Sequence, residues 1–143
     1  MKESKINFYS ENEFQFEQEE SYESWIQRVI ESEGKKLEEI SYIFCDDDYL
    51  LDINMEYLDH DTYTDIISFD YSVGNILQGD IYISTERVEE NSREYNVSFE
   101  EELRRVIIHG VLHLCGYKDK SAEESSLMRL KEEEKLKLFH VEQ

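Results

Sequence analysis

Residues 108–119 read IHGVLHLCGYKD, and they combine an apolar helix pattern with two of the four histidines of the chain. Between Val106 and Cys115 nearly every position is apolar, which predicts a central helix that is buried on most sides. His109 and His113 are one helical turn apart, so their rings should leave the helix on one face, about 6 Å apart along its axis. Buried imidazoles need partners, and two rings at this spacing can bind the same ion.

Gly116 predicts the end of this helix, and the turn that follows can bring Asp119 back to the two histidines. Two nitrogen atoms and one carboxylate would then share a metal ion, with at least one position open to water. The HExxH motif of zinc peptidases has the same histidine spacing, but Gly110 stands where that motif carries its general base, so a peptidase of that kind is not expected. The alternative is that His109 and His113 are core residues with hydrogen bonds to the backbone.

The remaining patterns predict a single α+β domain over residues 1–143, with the metal site at the end of its central helix. Apolar side chains that alternate or run together predict strands at INFYS, FQF, EEISYIFCD, TDIISFDYS and GDIYIS. Helical spacing predicts helices at 21–34, 46–57, 85–95, 98–115 and 121–139. The last two begin with capping boxes at Ser98 and Ser121. In the final helix we expect Leu127, Leu130 and Leu136 to face inward and the acidic residues to be solvated.

Composition and charge limit the classes of function. The 143 residues carry a formal net charge of −20, so the average surface repels polyanions and RNA binding needs a local exception. We expect that exception to be a basic rim of Arg104, Arg105, Lys118 and Lys120. The two cysteines lack a CxxC spacing and are expected to be reduced. No apolar run approaches about 18 residues and the N-terminus lacks an export segment, so we expect a cytoplasmic protein without membrane association.

Three ordered motifs resemble those of the YbeY family of metal-dependent endoribonucleases, which act in ribosomal RNA maturation. The motifs are Asn54-x-x-Tyr57 leading to Thr64-Asp65-x-x-Ser68-Phe69, then Gly79-Asp80-Ile81-x-Ile83-Ser84, and then His109-Gly110-x-Leu112-His113-Leu114-x-Gly116-Tyr117. On these motifs the chain is identified as a member of the family. The resemblance implies a small mixed β-sheet packed against about five helices, with a cleft between the sheet and the histidine helix. It also implies one divalent metal ion, with zinc as the first choice.

The resemblance further implies an activity and partners. The activity would be that of a single-strand-specific endonuclease, a hydrolase of phosphodiester bonds in ribosomal RNA processing and ribosome quality control. The partners would be ribosomal RNA, the small ribosomal subunit and a ribosome-associated protein or GTPase. The alternative is a ribosome-assembly factor that acts by binding, with a metal site that is structural or vestigial.

One departure from the family pattern concerns the third metal ligand. The family continues Gly-Tyr-Asp-His, with the last His as ligand, whereas residues 116–119 of this chain read GYKD. Without a gap, Asp119 takes the ligand position. With Lys118 as an insertion, Lys120 would face the metal, and an ammonium group cannot coordinate. We therefore predict the two histidines and Asp119 as the ligands, a set that also admits Fe²⁺, Mn²⁺, Co²⁺ or Ni²⁺.

A second departure lies before the strand TDIISF, where the family carries Tyr-Arg and this chain carries Tyr57 and Leu58. In the family this arginine is associated with the scissile phosphate. His60 is a nearby candidate for phosphate donation or proton transfer, although a histidine in a loop can also be merely exposed. Asp65 and Ser68, together with Asp80, are candidates for orienting water or the metal ligands. The alternatives are that the aspartates cap turns and that Ser68 fills a gap.

Overall fold

The computed structural model describes residues 5–59 and 63–141, which form a four-stranded sheet and five helices. In chain order the elements are β1 (Ile6–Ser10), α1 (Glu19–Ser32), β2 (Lys36–Cys45), α2 (Asp47–Leu58), β3 (Ile66–Asp70), β4 (Ile76–Ser84), α3 (Thr85–Tyr95), α4 (Phe99–Leu114) and α5 (Ala122–Val141). The strand order is β1-β2-β4-β3. The pairs β1–β2 and β2–β4 are parallel and β3–β4 is antiparallel, so the predicted α+β fold with a mixed sheet is confirmed.

The two faces of the sheet have different neighbours. On one face, Ile81 and Ile83 of β4 belong to the main core, which also contains the buried apolar side chains of α1 and α4. On the other face, Leu50 of α2 packs with Cys45 and Ile67 in a smaller cluster. This division follows from the alternation of side chains along each strand. The helix α4, which carries the two histidines, therefore packs on the face of the sheet that belongs to the main core.

α4 approaches the sheet closely at Gly110. A Cβ atom at this position would lie 3.0 Å from Cδ1 of Ile81 and 3.1 Å from Cδ1 of Ile66, closer than carbon atoms normally pack. Glycine therefore allows the helix backbone to lie directly against β3 and β4. As a result, α4 and β3 form two walls of one cleft.

The predicted strand at FQF is wrong. Residues 14–16 have irregular backbone, yet Phe14 and Phe16 pack their rings 5.0 and 5.3 Å from the ring of Phe44. The two aromatic side chains cover the edge of the core while the chain crosses from β1 to α1. Their alternation reflects this packing and not the hydrogen bonding of a strand. Other boundaries differ by a few residues, and β4 begins at Ile76 instead of residue 79.

α5 buries a different face from the one that hydropathy predicts. Leu127 and Leu130 are 47 % and 63 % exposed, whereas Glu132 and Lys135 are each only 2 % exposed. Leu136 is half-buried against the core, as expected. Charged side chains can be buried where oppositely charged partners contact them, and here Glu33 at the end of α1 and Arg105 of α4 are such partners. No described helix, this one included, has the length and apolar character needed to cross a bilayer.

Candidate metal centre

Both ends of α4 are defined by local interactions that the sequence predicts. At its start, Ser98 forms a reciprocal capping box with Glu101. At its end, Gly116 adopts φ +111°, and the amides of Gly116 and Tyr117 donate hydrogen bonds of 3.0 Å to carbonyl oxygens of the last turn. This is a Schellman ending, which reverses the chain direction after the helix. The reversal directs the following residues back along the histidine face.

Two anchors hold the turn that carries Asp119. Before it, the hydroxyl of Tyr117 donates to Oε1 of Glu33 at 2.8 Å. After it, Ser121 and Glu124 form the second predicted capping box, with both reciprocal hydrogen bonds at 3.0 Å. The backbone is thus fixed on both sides of Asp119, and its side chain returns to α4.

The side chains of His109, His113 and Asp119 converge on one point. The distance between the two histidine Nε2 atoms is 3.1 Å, and Oδ2 of Asp119 lies 3.2 Å from Nε2 of His109 and 3.3 Å from that of His113. Ligand atoms on one ion with bonds of about 2.1 Å are separated by about 3.0 Å in octahedral and about 3.4 Å in tetrahedral geometry. The three observed distances fall between these values. The three residues therefore form a group that can hold one divalent metal ion.

The triangle of donor atoms opens towards solvent. The side chains of His109, His113 and Asp119 are 15 %, 30 % and 37 % exposed, so accessibility increases towards the turn. They face a cleft of about 900 Å³ whose lining also includes Asp65 and Ser68. Three protein ligands beside an open space are typical of catalytic metal sites, whereas structural zinc is normally enclosed by four.

Glu132 holds His109 from the side opposite the cleft. Its Oε2 lies 2.5 Å from Nδ1 of His109. A carboxylate accepts hydrogen bonds, so in the neutral imidazole Nδ1 carries the proton and Nε2 keeps its lone pair for the site. Glu132 also accepts a hydrogen bond of 3.2 Å from Nη1 of Arg105. The orientation of the first histidine is therefore set by a buried carboxylate that is itself held in place.

Arg105 is the centre of a buried charge network. It donates to Glu102 through Nε at 3.1 Å and Nη2 at 2.7 Å, and its Nη2 lies 3.8 Å from Oδ2 of Asp65. Burial alone would lower the pKa of Arg105, but the hydrogen bonds and charges of Glu102, Glu132 and Asp65 raise it. The guanidinium is therefore held in its charged form. Through Arg105 and Glu132, the wall of the cleft at Asp65 is connected to His109.

Sequence reasoning missed Glu132 because it lies in the run Glu132-Glu133-Glu134 on a helix that reads as an acidic surface. Its position one helical turn after Met128 was the available indication, since Met128 is 2 % exposed and marks the buried face. Sequence reasoning likewise predicts Arg105 for the basic rim and not for the support of His109. Both residues become visible only when α4 and α5 are packed together.

The predicted basic rim is wrong at Arg104, whereas Arg105 lines the cleft with its charge already engaged. Arg105 is engaged by carboxylates, and Arg104 lies over the ring of Phe139, 4.7 Å from its centroid, without lining the cleft. Arg104 and Arg105 are successive helical residues, so they point to different sides of α4. Lys118 and Lys120 are exposed and do line the cleft.

The predicted residues of β3 and β4 separate onto two faces. Asp65 and Ser68 line the cleft. Ser68 pairs with Ile81 and Phe69 pairs with Asp80. Because neighbours along a strand point to opposite faces, Asp80 lies on the α2 side of the sheet, away from the histidines. Its predicted part in orienting the site is therefore wrong.

The end of α2 forms another part of the cleft wall. Leu58 lines the cleft and is 42 % exposed, so an apolar side chain stands at the position where the family resemblance places an arginine. His60, predicted as a phosphate donor or proton shuttle, lies outside the described residues.

The fold and the site together define a class of protein: an α+β domain that can hold one divalent metal ion through a His-x-x-x-His helix and a carboxylate at an open cleft. The family model described as Endoribonuclease YbeY matches residues 6–140. The chain belongs to this family.

Individual relatives agree with this membership. The chain is 63 % identical over 143 residues to the endoribonuclease YbeY of Christiangramia forsetii, and the match covers 100 % of both chains. It is 61 % identical over 138 residues to that of Flavobacterium johnsoniae, covering 96 % of this chain and 99 % of the relative. Among solved structures, the solution structure of TM1509 from Thermotoga maritima is similar, with a TM-score of 0.66 and 27 % identity, covering 96 % of this chain and 90 % of that one.

Proposed function

We propose that this chain is a metal-dependent endoribonuclease that hydrolyses phosphodiester bonds in single-stranded ribosomal RNA during ribosome maturation. The observation that carries the proposal is the triangle of donor atoms from His109, His113 and Asp119 at the wall of an open cleft. The name endoribonuclease YbeY, shared by its relatives, supports the same activity.

His109, His113 and Asp119 would hold the metal ion, and zinc is our first candidate because it accepts both imidazole and carboxylate ligands. When bound, a divalent ion makes water more acidic and polarises a phosphoryl oxygen. The residues around the site keep the ligands in position. Glu132 fixes the ring of His109, and Arg105 fixes Glu132.

Asp65 and Ser68 are proposed to act on water and phosphate from the opposite wall of the cleft. A carboxylate at Asp65 can accept a proton from an attacking water, and Arg105, 3.8 Å away, limits where that carboxylate points. The hydroxyl of Ser68 can donate to a phosphate oxygen. This proposal is supported by the position of both residues in the lining of the cleft that the metal group faces. The part assigned to His60 stays a prediction.

A second candidate function is that of a ribosome-assembly factor that acts by binding. The observation that favours it is Leu58, which brings no cation to the cleft wall. In both functions the partner would be the small ribosomal subunit. A ribosome-associated protein or GTPase that delivers the chain would compensate for the weak attraction between RNA and a protein of charge −20.

The two functions are separated by measuring cleavage and ribosome association on the same protein. Zinc-reconstituted wild type and His113→Ala are incubated with a single-stranded segment of small-subunit ribosomal RNA. For an endonuclease, a chelator abolishes internal cleavage, zinc restores it in wild type, and His113→Ala remains inactive. Glu133→Gln, on the exposed side of α5, is the control and should cleave like wild type. Cleavage that survives both the chelator and His113→Ala would contradict the proposal. If His113→Ala then cosediments with the small subunit as wild type does, the assembly factor is favoured.

A further inference from the structure

We propose that Lys118 and Lys120 bind RNA phosphates at the mouth of the cleft, one on each side of Asp119. The inference rests on the proposed function, because it takes RNA as the substrate of this site. It identifies the side chains that reduce the electrostatic repulsion between this acidic protein and a polyanion at the cleft.

The need for a local cation follows from the charge distribution. The chain carries −20 overall, and Asp65, Asp70 and Asp119 all line the cleft. A phosphate that enters such a cleft meets unfavourable potential unless fixed positive charge lies nearby. Arg105, Lys118 and Lys120 are the basic residues among the described residues that line it.

Arg105 is not available for this purpose. Its side chain is 23 % exposed and donates three hydrogen bonds, two to Glu102 and one to Glu132. Both acceptors are 2 % exposed. Withdrawing the guanidinium towards a phosphate would leave two buried carboxylates without their counter-charge, which is strongly unfavourable. The positive charge of Arg105 is therefore already paired with Glu102 and Glu132.

Lys118 and Lys120 have the opposite character. Both are exposed, and within the described parts of the chain neither ammonium group takes part in a side-chain hydrogen bond or in an ion pair within 4.0 Å. A lysine ammonium is a compact charge on a flexible stem, so it can follow a phosphate without a fixed geometry. Lys118 interacts with Glu124 only through its charge, so both ammonium groups can contact a phosphate without breaking a side-chain hydrogen bond or an ion pair within 4.0 Å.

Their backbone, in contrast, is held. Tyr117, next to Lys118, is tied to Glu33, and the amide of Lys120 donates to Oε1 of Glu124 at 3.2 Å. The two stems therefore start from fixed points on either side of Asp119, whose Oδ2 belongs to the donor triangle. When a single strand lies across the metal group with its scissile phosphate at the donor triangle, the two neighbouring phosphates come within reach of the lysines.

The test is the salt dependence of binding. Zinc-reconstituted protein is titrated with a short fluorescent single-stranded DNA oligonucleotide, a probe with the same phosphate backbone, and a gel confirms after each titration that the probe is intact. Two phosphate contacts on a single strand predict a slope of log K against log [salt] of about −1.4, and each of Lys118→Gln and Lys120→Gln should reduce its size by about 0.7. The double variant should lose most of the slope.

The matched control is the double variant Lys36→Gln with Lys137→Gln, which makes the same change in net charge at exposed sites that do not line the cleft. It should keep the wild-type slope. If the control lowers the slope as much as the cleft variants do, or if neither pair changes it, the inference is wrong. RNA cleavage is measured separately. A protein that shows the lysine-dependent slope but no metal-dependent cleavage would contradict the proposed function while leaving the phosphate contacts intact.

Discussion

Oε2 of Glu132 lies 2.5 Å from Nδ1 of His109, although the two residues are on different helices and 23 positions apart in the sequence. The contact joins α5 to the metal group and fixes the orientation of one proposed ligand. Because Arg105 donates to the same carboxylate, the ring of His109 is held by a chain of buried charges and not by packing alone. The metal group therefore depends on Glu132, a buried residue that does not line the cleft, and on the arginine that holds it.

Our first prediction follows from this contact. Glu132→Gln keeps the size of the side chain but removes the negative charge that supports His109 and Arg105. We expect the affinity for zinc to fall by about tenfold or more, as for other residues that hold a metal-ligating histidine. Competition with a chromophoric chelator measures the change. Glu133→Gln, exposed on the same helix, should bind zinc like wild type. Equal affinities of the two variants would show that Glu132 does not support the site.

A second prediction concerns Asp119. Asp119→Asn retains an oxygen donor but loses its charge, so both metal occupancy and RNA cleavage should decrease. Asp119→His restores the ligand set of the family and should retain cleavage while shifting the metal preference towards zinc, since imidazole is a good zinc ligand. Elemental analysis and cleavage assays on the same samples test both, and circular dichroism excludes unfolding. If metal-loaded wild type and Asp119→Asn gave the same trace of cleavage, a contaminating nuclease would be the explanation.

A third prediction uses the pH dependence of stability at Glu33. Burial alone would raise the pKa of Glu33, but hydrogen bonds from Lys135 and Tyr117 and the charge of Lys135 hold it below its ordinary value of 4.5. A carboxylate with a lowered pKa in the folded state adds stability above its unfolded pKa, and that stability is lost as the pH falls through the folded pKa. Glu33→Gln should therefore lower the free energy of unfolding by about 1–2 kcal/mol at neutral pH.

The difference between wild type and Glu33→Gln should shrink as the pH falls below 4.5, and denaturant unfolding at several pH values measures it. Glu31→Gln, exposed in the last turn of α1 just before Glu33, is the matched control and should change stability little at any pH. A difference for Glu33→Gln that is as large at about pH 3 as at neutral pH would mean that its charge is not what stabilises the fold.

The fourth prediction tests the close approach of α4 to the sheet. In an uncrowded helix, Gly→Ala stabilises by about 1 kcal/mol. At Gly110 the added methyl group would meet Ile81 and Ile66 at 3.0 and 3.1 Å, and Ile81 is fully buried. We therefore expect Gly110→Ala to destabilise the protein by about 1–3 kcal/mol through overpacking. Thermal and denaturant unfolding provide the measurement. An increase in stability would show that the two isoleucines can move aside.

Much of the metal group could be predicted from the sequence, because its determinants are local. The spacing of His109 and His113 places both rings on one helix face wherever that helix lies. Gly116 ends the helix through its own backbone conformation and reverses the chain only three residues before Asp119. The capping boxes at Ser98 and Ser121 are likewise contained within four residues.

Only the tertiary structure decided which charges are buried. Hydropathy assigned Leu127 and Leu130 to the core and the acidic residues to solvent, but both leucines are exposed, and Glu132 and Lys135 are buried on the same helix as Met128. Lys135 is placed by Glu33, with an ion pair of 2.8 Å, and Glu132 by two residues of α4. The free energy of burying a charge depends on partners that are distant in sequence. The sequence of α5 alone does not indicate these partners, so the residues that support the metal group can be identified only when the three helices are packed together.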